Sequence, residues 1–367
     1  MKKHISFFVA LALLVMPFGI IYADSEIKTY TLTLDNAIEL ALTDNSEITA
    51  NEHKITANKV NIKNAYLTRA PYKKAVVNVS NNFETYCLKE GYYIEAAEMQ
   101  ERLSVKEGEK IKSTIAYNVT KAYYNAVLLN KLINAAQNSY NLAVINMNTV
   151  KAQYELGLIS SLDYENALVS VDAAQNALES TKMNFVIALD SFRVLVGLDD
   201  EECEIILKDE IEYEEFDSNL SLDTENALSS RYDLFALWES TKLSERYWDL
   251  SSVLTDSSAT YNTAYADYLS SKNTYENALK MTKISIKSAY NDIITARANL
   301  DVSKRQYEIK LKRYEAAKIQ YELGIISNIE LTGAINDLYD SQVSYAQAKL
   351  NYKMAVETYK MQITTGL

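Results

Sequence analysis

The sequence predicts an all-α fold made of two homologous halves, each a long antiparallel coiled-coil helical hairpin, with little or no β structure. Three observations predict it: few chain-breaking residues, an internal repeat and a long heptad seam. The 367-residue chain has 8 Gly and 2 Pro against 28 Tyr, and 48% hydrophobic content. Average usage would supply roughly three times the Gly and several times the Pro. Layered α/β folds and β-sandwiches need frequent turns, and the residues that make turns are missing here.

The repeat has an offset of 167 residues. Gln153-Tyr154-Glu155-Leu156-Gly157-Leu158-Ile159-Ser160 recurs as Gln320-Tyr321-Glu322-Leu323-Gly324-Ile325-Ile326-Ser327. At the same offset Leu162-Asp163 answers Ile329-Glu330, Ala167 answers Ala334, and Ala122-Tyr123 answers Ala289-Tyr290. Such an ungapped correspondence identifies a duplicated unit. The halves also begin alike. Leu32-Thr33-Leu34-Asp35 with Ala41-Leu42 matches Leu220-Ser221-Leu222-Asp223 with Ala227-Leu228, at an offset of 186. The first half therefore carries 19 more residues upstream of its Gly157 motif.

Along the chain, Lys2 and Lys3 precede an apolar run from Ile5 to Ile21 that ends at Ala23. Residues 1–23 read as a secretory signal peptide; the run also meets the lower limit of about 17 residues for an uncleaved membrane anchor. The first helical repeat covers 24–198. Inside it, 72–108 reads as an irregular insert following the breaker Pro71. Val77, Val79 and Phe83 alternate with Asn78, Ser80 and Asn82 in its one strand candidate, Tyr72–Cys87, while Glu95–Glu109 is charged and helical in pattern.

The seam then runs through Ile115, Val119, Ala122, Ala126, Leu129, Ile133, Ala136, Tyr140, Ala143, Met147, Val150 and Tyr154. Spacings of four and three alternate, which is the coiled-coil signature. Gly157 breaks the seam as a left-handed C-cap, and Ser160 is placed to cap the returning helix. Residues 199–219 form an acidic linker. The second repeat, 220–367, opposes the insert with only a Ser/Thr/Asp turn at Ser251–Thr260, and from Tyr261 to Tyr321 it has no Gly or Pro. At ~1.5 Å per residue that helix spans roughly 90 Å. A rod so long must pack along partners throughout. Its Tyr stripe is read as seam packing with wetted hydroxyls.

Charge excludes one class of partner. Lys and Arg number 37 against 49 Asp and Glu, a net −12. A chain this acidic repels phosphate backbones, so no nucleic-acid partner is expected. Two cysteines, Cys87 and Cys203, make no disulfide framework, although an oxidising compartment would permit them to pair. After the signal peptide, His53 is the sole histidine. No metal site, no cofactor and no enzyme are expected: there is no Gly-rich phosphate loop, no Cys-x-x-Cys and no second histidine to serve a nucleophile.

The start motifs, the paired Tyr-Glu-Leu-Gly-(Leu/Ile)-Ile-Ser tips with a following acid, and the endings Val196-Gly197-Leu198 and Thr365-Gly366-Leu367 together resemble the TolC-like outer-membrane efflux protein family. The resemblance covers nearly all of the chain after residue 23. It implies a TolC-like α-barrel protomer that forms homotrimers in the outer membrane of the cell envelope. Such trimers join their hairpins into a hollow α-helical barrel, continued by a membrane β-barrel, and export solutes with a periplasmic adaptor (a membrane fusion protein) and an inner-membrane pump. The sequence departs from the family where two strands per half are expected, so membrane association is expected without a full barrel. The alternative is a secreted coiled-coil structural or interaction protein without a pore.

By the resemblance, the tips Gly157, Leu158, Ile159, Ser160 and Gly324, Ile325, Ile326, Ser327 are the adaptor-docking residues, with turn-and-cap chemistry as the plainer explanation. Glu330, and its first-half counterpart Asp163, stand where family acids line a pore constriction. The family often has a further acid one turn later, where this chain has Gly333.

Overall fold

In the computed structural model, which describes residues 28–79, 82–199, 203–255 and 258–366, two rods of equal length organise the chain. The expected signal peptide lies outside the described residues. The first half runs β1 (Lys28–Leu32), α1 (Leu34–Leu42), α2 (Ser46–Arg69), α3 (Phe83–Glu90), α4 (Tyr92–Glu155) and α5 (Ser161–Leu195). The second runs β2 (Cys203–Leu207), α6 (Leu220–Ser230), α7 (Tyr232–Ser251), α8 (Ala259–Glu322) and α9 (Asn328–Thr364). Of the described residues, 83% are helical and 3% are in strands.

The duplication is visible element by element. The rods α4 and α8 each have 64 residues. Their starts and ends, like the starts of α5 and α9, are 167 positions apart, whereas α1 and α6, and α2 and α7, start 186 apart. The 19-residue excess of the first half thus falls between the starts of α2 and α4. Four of those residues lengthen α2, which has 24 against 20 in α7. The rest lie in the connection that holds α3.

Packing follows the seams. Each rod pairs with its returning helix, α4 with α5 and α8 with α9, and α4 also packs on α9. The order across the tip-side part is α5–α4–α9–α8. Beyond the ends of α5 and α9 it becomes α2–α4–α7–α8. Ile115, Val119 and Ala126 on α4 and Ile286, Ala289 and Ile293 on α8 are buried, as their seam positions require.

Two clusters sit at mid-length. One gathers Leu32, Ala37 and Ala41 around Tyr123 and Phe192; the other gathers Ala227, Tyr352 and Tyr359 around Ile286 and Ile293. Ala41 and Ala227, which end the matching start motifs, are both buried there, since only a small side chain lets these short helices approach a rod.

The structure corrects three expectations. The strand candidate Tyr72–Cys87 holds no strand among the described residues: 73–79 is turn and coil, and Phe83–Cys87 lies in α3. An alternating run without a second strand to pair with cannot persist as sheet. The insert 72–108 is mostly helical, because α3 occupies 83–90 and α4 begins at Tyr92, the two being separated by Gly91 at φ +90°. The linker 199–219 contains β2, whose Cys203–Leu207 pairs in parallel with Lys28–Leu32. Cys87 and Cys203 are both buried and unpaired, and burial pushes the Cys87 thiol up to about 11.

Candidate functional site: the twin tips and the open edges

Both tips are built the same way. Helix α4 ends with Gly157 at φ +72°, its N–H donating to the Tyr154 carbonyl at 2.9 Å while the Leu158 N–H donates to the Gln153 carbonyl at 2.9 Å. Gly324, also at φ +72°, repeats the pattern with Tyr321 and with Ile325 to Gln320. This crossed pair of bonds satisfies the last helical carbonyls and needs a residue free to be left-handed. The chain reverses through three residues, and Ser160 and Ser327 cap α5 and α9.

Each cap is reciprocal. Ser160 Oγ accepts from the Asp163 N–H at 3.2 Å, and the Asp163 carboxylate accepts from the Ser160 N–H at 3.2 Å and from its hydroxyl at 2.7 Å. Glu330 does the same for Ser327, accepting at 2.8 Å from the N–H and 2.9 Å from the hydroxyl. These bonds to Ser327 hold the Glu330 carboxyl below the usual carboxylate range. Both acids named as constriction residues thus serve their own helix starts. The signal was the Ser-x-x-Asp/Glu spacing, which forms a capping box. A Cβ on Gly333 would face open space, so no side chain fills that position.

The tip surface is apolar. Leu158 is 70% exposed and Ile325 66%, flanked by exposed Leu156, Leu162, Leu323 and Ile329, while Ile159 and Ile326 are half-buried. Such residues at a turn, where polar ones would serve, mark a contact surface. The two tips are also joined. Tyr321 Oη donates to Gln153 Oε1 at 3.3 Å, and Asn146 Nδ2 donates to Thr332 Oγ1 at 2.9 Å.

A second apolar surface runs along the sides. Helix α5 leaves Val169, Met183, Val186, Ile187 and Val194 exposed, and α8 leaves Met281, Ile284, Ile294, Val302 and Ile309 exposed. The heptad pattern marks the inner seams but not these outer residues, which recur irregularly: seven-residue steps from Met281 meet Ser288 and Thr295 before Val302 and Ile309. Among the described residues no helix is long and apolar enough to cross a membrane.

No family model matches the chain. A curated relative, "Toxin and drug export protein A" of Aggregatibacter actinomycetemcomitans, is 24% identical over 274 residues, covering 72% of this chain; the chain spans only 55% of that protein's length. Among solved structures, a membrane protein from Pseudomonas aeruginosa superimposes with a TM-score of 0.76 at 12% identity, covering 91% of this chain and 90% of its own. The Campylobacter jejuni CmeC outer membrane channel gives 0.72 at 14% identity, over 91% and 86%. The outer membrane protein VceC from Vibrio cholerae gives 0.73 at 11%, over 91% and 97%. The chain therefore has the fold of these outer-membrane channels, the TolC-like fold that its paired tips and duplicated hairpins resemble.

Proposed function

We propose that this chain is the subunit of an export conduit in the cell envelope, three copies closing into a hollow helical barrel. The carrying observation is the order α5–α4–α9–α8 with apolar side chains left open along both outer helices. Two different edges of one chain are suited to each other, and a head-to-tail contact of this kind generates a ring when its rotation closes. Exposed Ile and Met in two long stripes are costly in water and favour that burial. The relative named as a toxin and drug export protein supports a transport role and not an enzymatic one.

In this reading the tips around Gly157 and Gly324 are the docking surface for a periplasmic adaptor that links the conduit to an inner-membrane pump. The exposed Leu158 and Ile325 would supply apolar anchors there. Asp163 and Glu330 would ring the entrance as carboxylates while capping their helices. The signal peptide would deliver the chain across the inner membrane, in repeats bounded at 24–198 and 220–367. Light scattering on the chain from residue 24 in mild detergent tests the assembly. A trimer is expected, reduced to monomer by Ile187→Glu on α5 or Ile294→Glu on α8. A wild-type monomer under every condition would overturn the conduit.

A further inference from the structure

We propose that a cavity of 390 Å³ between α4 and α9, walled also by the linker and by α8, binds an amphipathic monocarboxylate whose head group is held by Lys131 and Lys349. Small-molecule sites run from about 300 to 1,000 Å³ and are apolar with a few convergent polar groups. This cavity matches that description. Leu128 and Ile211, which belong to the buried mid-length cluster, give it a rigid apolar wall. Tyr307 of α8 stacks on Tyr345 of α9 as a second wall, the centroids 5.8 Å apart and the rings within 12° of parallel. Asn138 and Gln342 add neutral donors.

The charge at the cavity opposes that of the chain, which carries −12 overall. No carboxylate lines it. Lys131 shares its charge with Glu210 at 3.1 Å, whereas Lys349 has no ion-pair partner among the described residues and lies over the Tyr345 ring, 5.1 Å from the centroid. Burial, Lys131 and Lys304 push the Lys349 ammonium below its ordinary pKa, and Glu210 opposes them. Other acids on these elements are engaged elsewhere. Asp209 accepts from the Leu34 N–H at 2.6 Å, Glu214 pairs with Lys353 at 3.4 Å, and Asp337 pairs with Lys310. Glu212 and Glu308 are exposed and do not line the cavity. The lining thus offers one uncompensated cation, which suits a single negative charge, and a bound carboxylate would relieve the strain on Lys349. The apolar walls favour a hydrocarbon body, which an inorganic anion lacks.

The duplication isolates what makes the site. At the 167-residue offset Lys349 answers Lys182, and Lys182 pairs with Glu179 at 2.9 Å, one turn earlier on the same helix. Ala346 stands where the first half has Glu179. The missing carboxylate leaves Lys349 unpaired, and the small Ala346 lines the cavity in its place. Tyr345 and Lys131 likewise stand where the other half has Leu178 and Ala298. A gap left by plain duplication would carry the same residues in both halves.

Titration calorimetry of the purified protein with naphthoate tests the site, with naphthamide as the uncharged counterpart. One naphthoate per chain is expected, bound at least about tenfold more tightly than the amide, which cannot make the charge-assisted bonds. Lys349→Gln should weaken naphthoate by a similar factor. Ala346→Glu, which rebuilds the ion pair of the first half, should abolish binding while leaving the helical circular dichroism unchanged. Lys182→Gln removes the same charge from the paired counterpart and should leave binding unchanged. No binding of naphthoate, equal binding of the amide, full displacement by equimolar sulfate, or equal loss in Lys182→Gln and Lys349→Gln would each overturn the site. The cavity lies within one chain, so the inference is independent of the export reading: a chain that binds naphthoate but stays monomeric keeps this site and loses the conduit.

Discussion

Tyr321 of the second hairpin donates its hydroxyl to the side-chain carbonyl of Gln153 in the first, at 3.3 Å, one turn before both tips. The equivalent tyrosine of the first half, Tyr154, is used differently: it stacks on Tyr164 with centroids 5.1 Å apart. The counterpart of Tyr164 is the buried Leu331, which leaves Tyr321 free to reach across. A duplicated motif has thus diverged at one contact to join the two halves.

Tyr321→Phe tests that joint. The ring remains and one hydrogen bond is lost, so global stability should fall by only about 0.5–1.5 kcal/mol. Amide exchange in the last turns of α4 and α8 should nonetheless accelerate, because the joint nearest the turns is gone and only Asn146–Thr332, farther along the hairpins, remains. Exchange unchanged at both tips would show that the bond does not couple them.

Gly157, Gly324 and Gly366 all have positive φ but differ in surroundings. A Cβ on Gly157 or Gly324 meets nothing within 4 Å, so Ala there should cost only the left-handed penalty of about 1–2 kcal/mol. Gly157→Asn should cost less than Gly157→Ala, since Asn tolerates that region. At Gly366 a Cβ would lie 2.8 Å from the Arg231 guanidinium. That buried guanidinium also bonds the Gln362 carbonyl at 3.0 Å and pairs with Asp233 at 2.8 Å. Gly366→Ala should therefore be the most destabilising of the three in urea titrations.

These cases show what was legible in the chain. Rods α4 and α8 and their glycine ends could be read because helix, seam and cap signals are all local in sequence. Their equal lengths could not, because residues 92–108 of α4 read as part of an irregular insert. The parallel pair Lys28–Leu32 with Cys203–Leu207 could not, since its partners lie 175 residues apart and five-residue strands carry little pattern. The alternation around Val77 and Val79 misled because a period of two specifies a strand only where another strand receives it. At the tips, Ser160 and Ser327 were readable as caps. The structure adds that Asp163 and Glu330 complete those caps, so the acids are already engaged before any assembly forms.

Glu330 gives a pH prediction. Its folded pKa lies below the ordinary value because Ser327 donates to the carboxylate. A depressed acid stabilises the fold above its unfolded pKa and loses that effect as pH falls through the folded value. The start of α9 should therefore fray below about pH 4.5. In Ser327→Ala, carbon-detected NMR should find the Glu330 carboxyl titrating at a higher pH than in the wild type. The same pKa in both proteins would refute the cap as its cause.

Tyr123 holds the mid-length cluster to the sheet, and its loss should be the costliest of the conservative changes. Its side chain is fully buried, with the hydroxyl donating to the Leu32 carbonyl and accepting from the Asp209 N–H, each at 3.0 Å. In Tyr123→Phe the Leu32 carbonyl keeps the Lys208 N–H, also at 3.0 Å, but the Asp209 N–H loses its acceptor. An orphaned donor away from water costs about 1–3 kcal/mol, which urea unfolding would register. Burial also pushes Tyr123, like Tyr124 and Tyr359, up to about 12. A raised folded pKa stabilises the protein below the unfolded value near 10 and ceases to do so as pH climbs toward 12. The urea midpoint should therefore fall between pH 10 and 12, and fall less in Tyr123→Phe, which removes one of the three phenols. An identical alkaline decline in both proteins would show that Tyr123 does not carry this dependence.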